Sequence, residues 1–223
     1  MTPESRRLPL GTLIALGSVW GLAEAGLGLA IESCARLVSG SIMTGIALFF
    51  ISAAWARTKR VAGPAIVTAI ALVFKLFDAV WLGLPVKHGA IGNPMFAFVT
   101  EAAAFVVIAL LIADAWRSRL AGRAALGGLS ALAAVNLFPL VKFASGVPAC
   151  VAPGSSMPLS LVYAPIAVAV AALTVPLGFL AAAKLEAYEG RIAAAPNAGT
   201  LRWLAPAASA VLCLAAQGLI RAL

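Results

Sequence analysis

Seven apolar runs, broken by short polar turns, account for most of the chain: residues 8–31, 41–56, 61–84, 94–115, 124–144, 159–183 and 201–219. An α-helix rises about 1.5 Å per residue, so crossing a hydrocarbon layer of ~30 Å takes about 20 mostly apolar residues. The run 41–56 is the shortest and 159–183 the longest. No stretch between them is long or polar enough to form a separate soluble domain. The pattern predicts one all-α integral membrane domain over residues 1–223, a bundle of six to seven transmembrane helices. Pro139, Pro165, Pro176 and Pro206 fall inside the later runs, where each removes a backbone hydrogen bond and favours a kink.

Composition sharpens this picture. Hydrophobic residues make up 63% of the chain and charged ones 11%, with a mean hydropathy of +1.04. Soluble domains are about half apolar and a quarter charged. A net charge of +8 would by itself suggest nucleic acid, but the basic residues lie in the turns. Arg6 and Arg7 precede the first run; Arg57, Lys59 and Arg60 follow the second; Arg117, Arg119 and Arg123 follow the fourth; Lys184, Arg191 and Arg202 lie between the sixth and seventh. The opposite turns hold only Arg36, Lys87 and His88, with Lys142 and Arg221 near run ends. This asymmetry predicts a cytoplasmic N-terminus and an outside C-terminus. It makes the lipid bilayer, not nucleic acid, the expected partner, and a bacterial inner membrane the expected location. Trp55, Trp116 and Trp203 lie beside the basic turns, as in an interfacial aromatic belt. The opening SRRLPLGTLIALG has features of a secretory or twin-arginine signal, with Ala23-Glu24-Ala25 as a small-x-small site. Because the apolar run continues to about Ile31, it is read as a retained first helix.

Polar residues inside these runs are the candidate chemistry. At about 100° per residue, Gly17, Gly21, Glu24 and Gly28 share one face of the first helix, with Ala25 beside them. This small-residue ladder invites close helix contact, which turns Glu24 toward protein or a cavity. Lys75 and Asp78 are three apart on the third helix, and thus neighbours. Glu101 follows Asn93 by eight residues on the fourth, and Asn136 and Lys142 lie on the fifth. Each intramembrane charge costs several kcal/mol and is by default a functional hypothesis. Counted from the basic side, Glu24, Lys75 and Asp78 lie ~20–26 Å deep, and Glu101 is about 11 Å from the opposite end. The seven residues Glu24, Lys75, Asp78, Asn93, Glu101, Asn136 and Lys142 are therefore the candidate ligand-binding set. They would line an outward-facing polar chamber among the first, third, fourth and fifth helices. The plainer alternatives are that Lys75 and Asp78 form a local pair and that Lys142 snorkels to the headgroups. Three acids against two lysines leave one acid to be protonated or to meet a cationic group on a ligand.

Other chemistry is not signalled. The single histidine, His88, reads as a loop residue, and no His/Cys cluster has metal-ligand spacing. No Ser-His-Asp set and no phosphate-binding glycine loop occurs, so neither enzymatic activity, metal nor cofactor is expected. Cys34 and Cys150 fall in or beside outer turns, where an oxidising exterior permits a disulfide. Ser209, Cys213 and Gln217 form a weak polar stripe on the last helix, read as packing. The Gly- and Pro-rich stretches 85–94 and 146–154 are turns or caps over a cavity mouth.

The strings GSVWGLAEAGLG (Gly17 to Gly28), KLFDA (Lys75 to Ala79) and NPMFAFVTEA (Asn93 to Ala102), on a short chain of this helix count, resemble the S components of energy-coupling factor vitamin transporters. The resemblance covers roughly the first six helices. It implies a small polar solute, a vitamin or its precursor, bound from outside, and a transmembrane coupling subunit with ATPases as partners. It would make Gly17, Gly21 and Ala25 coupling residues. The seventh helix departs from the family's usual six. Two alternatives stand beside it: a secondary transporter coupled to protons through Glu24 or Glu101, and a non-catalytic structural subunit of a larger membrane complex.

Overall fold

The computed structural model describes residues 9–32, 36–146, 148–152, 154–194 and 198–222. Their helices are α1 (Leu10–Glu32), α2 (Arg36–Thr58), α3 (Ala62–Trp81), α4 (Gly89–Leu111), the single turn α5 (Asp114–Arg117), α6 (Leu120–Leu137), the short α7 (Val141–Ser145), α8 (Leu159–Ala193) and α9 (Ala198–Ala222). Seven of these segments are long and apolar enough to cross a membrane. The protein is an all-α membrane bundle whose spanning helices alternate in direction.

The boundaries differ from the apolar runs where polar atoms are buried or a helix leaves the apolar layer. α2 begins at Arg36, five residues before the run, and buries Ser41 and Thr44 in its first turns. α4 begins at Gly89, where the His88 Nδ1 accepts the Ala90 N–H at 3.2 Å and caps the helix. Pro94 therefore lies within α4, not at its start. α6 stops at Leu137, since Phe138-Pro139-Leu140 tightens into a 3₁₀ turn before α7. α8 runs ten residues beyond the apolar stretch, about 52 Å in all. Its extension is held by Arg57, which pairs with Glu186 at 3.2 Å and Glu189 at 2.5 Å. Pro165, Pro176 and Pro206 lie inside unbroken α8 and α9.

Packing follows small residues. α2 and α6 make their most extensive contacts with α8. At Gly127, α6 approaches α8 so closely that a Cβ would overlap the Ala171 carbonyl. α1 is held between α3 and α9. A Cβ on Gly17 would lie 2.6 Å from the Ile70 Cβ, and one on Gly21 would overlap the Phe74 ring. Gly17 and Gly21 of the ladder thus form a contact face filled by α3 of the same chain, and Ala25 is fully buried. The contacts of Gly28 lie outside the described residues. Trp20 is the central core aromatic, 4.8 Å from Phe98 on α4 and stacked on Phe50 of α2 at 6.3 Å. The aromatic belt is only partly as expected. Trp116 is exposed, whereas Trp55 is buried under the Arg117 guanidinium, and the side chain of Trp203 is outside the described residues. α9 is peripheral, with Leu204, Val211, Leu212 and Leu219 all exposed on its outer side.

Candidate functional site

Two polar centres occupy the interior, and they separate the residues that the sequence grouped as one chamber. The first is built on Asp78, 1% exposed. Its Oδ2 receives Lys75 Nζ at 3.1 Å from one turn back on α3. Arg221 on α9 grips both oxygens, Nε to Oδ1 at 2.8 Å and Nη2 to Oδ2 at 2.9 Å. Gln217 Nε2 adds a bond to Oδ1 at 2.8 Å and lies 3.0 Å from the Phe74 carbonyl. A carboxylate offers about four lone-pair sites, and all are used. Gln217 and Arg221 are four apart, so both face α3. Glu24, buried on α1, lies within electrostatic reach of Lys75, Asp78 and Arg221. The cluster holds two acids, Glu24 and Asp78, and two bases, Lys75 and Arg221, which balance when all four are ionised.

The second centre is Glu101 on α4, 4% exposed, with Thr44 of α2 beside it in the lining of one cavity. Because α4 starts at Gly89, Glu101 is twelve residues in, about 18 Å from that end and close to mid-membrane. It borders a cavity of about 20 Å³ shared with Thr44, Ala97, Thr100, Val135 and Tyr163. That is room for one water-sized occupant. Thr100 directs its hydroxyl hydrogen to its own helix, 3.0 Å from the carbonyls of Phe96 and Ala97, leaving its lone pairs for the cavity. The one charged side chain found to act on Glu101 is Glu24, another acid. On antiparallel helices side chains lean toward their own N-termini, so Glu24 and Glu101 lean toward each other past the Trp20–Phe98 contact. Among the described residues neither acid forms an ion pair.

The remaining expected residues do not join these centres. Asn136 is exposed and donates to Leu132 of its own helix at 2.7 Å. Lys142 is exposed, its ammonium 4.9 Å above the Phe143 ring. Asn93 is half-buried, its Oδ1 without a hydrogen bond among the described residues. The expected chamber among α1, α3, α4 and α6 is therefore replaced by an α1–α3–α9 charge cluster and a small cavity among α2, α4, α6 and α8. Cys34, half of the suggested disulfide, lies outside the described residues; Cys150 is exposed.

Comparison with protein-family models, curated proteins and solved structures found no match. The side chains themselves then carry the functional reading. Arg221, Thr44, Thr100 and Tyr163 are residues of these two centres that the sequence did not single out, and Gln217, read there as packing, joins them. Their one legible signal was the i, i+4 spacing of Gln217 and Arg221 on an apolar helix. Hydroxyls scattered on apolar helices carry no such signal.

Chemically, the two centres differ. Asp78 is saturated, so its cluster is a neutral clamp joining α9 to α3. Glu101 keeps a carboxyl beside free lone pairs and a small, partly open space, an arrangement able to accept a proton or a small cation.

Proposed function

We propose that this chain is a membrane transport protein, not an enzyme, that moves a small polar solute in an ion-coupled, secondary manner. The observation that supports this is Glu101: an acid near mid-membrane, facing a water-sized cavity, with no cation paired to it among the described residues. Evolution rarely keeps such a group in an apolar interior without a task. The charge-balanced Asp78 cluster is a fixed element about which the bundle rearranges. A cavity of about 20 Å³ is far below the ~300–1,000 Å³ of ligand pockets. A solute chamber therefore requires α4 to move away from α6 and α8. The S-component reading, with a vitamin-like solute and partner ATPases, has the sequence resemblance in its favour. Against it, the ladder face that would couple to another subunit is filled by α3. A structural-subunit reading draws its support from the neutral clamp alone, and leaves Glu101 without a role.

The test is to purify the protein in mild detergent, identify co-purifying small molecules by mass spectrometry, and compare wild type with Glu101→Gln. The identified compound is then offered to proteoliposomes. A compound depleted in the variant and accumulated by wild-type vesicles supports transport. If nothing co-purifies and wild-type vesicles take up no amino acid, vitamin or nucleoside above empty vesicles, the transport reading fails.

A further inference from the structure

The cavity beside Glu101 has the chemistry of a particular ligand class. Its lining supplies oxygen and nothing basic. Glu101 contributes a carboxyl; Thr100 spends its hydroxyl hydrogen on its own helix and keeps lone pairs; Thr44 adds a hydroxyl oxygen and Tyr163 a phenol oxygen. The break in α6 offers a fifth oxygen. Pro139 has no N–H to return to the carbonyl four residues earlier, which is that of Val135, and Val135 lines the same cavity. Backbone carbonyls released where a membrane helix is interrupted can coordinate coupling ions. Carboxylate, hydroxyl and carbonyl oxygens suit a hard cation. The charge sets its valence. One carboxylate faces the cavity, while Glu24, the nearest other acid, lies within reach of Lys75 and Arg221. The volume of about 20 Å³ admits one water-sized species and excludes a hydrated ion.

From this cavity, its oxygen lining and the helix break at Pro139, we infer that Glu101, Thr44, Thr100, Tyr163 and the Val135 carbonyl form a binding site for one dehydrated monovalent cation of sodium size. The inference rests on the transport reading only for its purpose, since it names the coupling ion. The binding itself is measurable without any solute or gradient. α2, α4, α6 and α8 meet at this site, so an ion there ties four helices together and its loss frees α4 to move.

Binding of radiolabelled sodium to the purified full-length protein tests this, with thermal unfolding in sodium, potassium, lithium and choline chloride at equal ionic strength. Wild type is expected to bind about one sodium per chain and to unfold at a higher temperature in sodium than in choline, saturably. Thr44→Val, Thr100→Val and Pro139→Ala, which keep side-chain volume or restore the helix, are expected to weaken sodium binding tenfold or more. Glu101→Gln is expected to abolish it. The inference is overturned if folded wild type binds no sodium and unfolds alike in all four salts. It is also overturned if binding persists undiminished in Glu101→Gln and Thr44→Val, which would place the ion elsewhere. A response to pH alone, indifferent to sodium, would make the occupant a proton and reject the cation. Sodium binding in a protein that transports nothing would sink the transport reading and leave the site standing. Solute flux indifferent to sodium, with no sodium bound, would do the reverse.

Discussion

The clamp on Asp78 can be tested by a double-mutant cycle with Asp78→Asn and Arg221→Met. Both partners are buried, Asp78 at 1% and Arg221 at 8% side-chain exposure. Two of the four hydrogen bonds to the carboxylate come from the guanidinium, at 2.8 and 2.9 Å. Interhelical hydrogen bonds in membrane proteins average about 0.6 kcal/mol and reach about 1.7, while bonds to charged groups in soluble proteins are worth about 1.5–3. Two charge-assisted bonds in this setting imply a coupling of about 2–3 kcal/mol. Each single variant also unbalances the cluster. Arg221→Met leaves Glu24 and Asp78 against Lys75 alone; Asp78→Asn leaves Lys75 and Arg221 against Glu24. Breaking a buried pair from one side costs about 3–5 kcal/mol, whereas the double variant restores one cation to one acid. It should therefore be less destabilised than the sum of the singles. The assay is reversible unfolding by SDS titration in mixed micelles, followed by tryptophan fluorescence and circular dichroism. A coupling under about 0.5 kcal/mol would refute the reasoning. It would mean that Arg221, near the end of α9, spends its charge on the headgroups and that Asp78 is held by Lys75 and Gln217.

Other consequences follow from the same geometry. Gly21→Ala should destabilise by about 1–3 kcal/mol, because its Cβ overlaps the Phe74 ring; Gly190→Ala, in an exposed part of α8 with nothing within 4 Å, should be neutral or stabilising by under about 1 kcal/mol. The same SDS titration reads both, and equal effects would contradict the α1–α3 contact. His88→Ala removes the α4 cap and should cost under about 1 kcal/mol, with His88→Asn restoring it; a larger loss not rescued by Asn would assign His88 another role. In a Cys34→Ser, Cys213→Ser background, exposed Cys150 should react with a membrane-impermeant maleimide added to intact cells. Labelling only after the cells are opened would invert the orientation drawn from the basic turns.

The apolar runs and their length determined that this is a membrane bundle of six to seven helices, and the same signal marked Glu24, Lys75, Asp78 and Glu101 as residues too costly to expose to lipid. That much is legible because transfer of a side chain out of water depends on the residue itself. The spacing of Lys75 and Asp78 also foretold their pair, since i, i+3 neighbours meet on any helix. What each charge pairs with across the bundle depends on which helices touch, and hydropathy is blind to that. Arg221 stood in the sequence only as a base near the end of the last run until α9 laid it on Asp78. Gly17 and Gly21 offered a surface to any partner until α3 took it. Lys142 and Asn136, on an apolar run like the others, turned outward. The cavity at Glu101 draws Thr44, Thr100, Val135 and Tyr163 from four helices. No local pattern unites them, because their meeting is a property of helix packing alone.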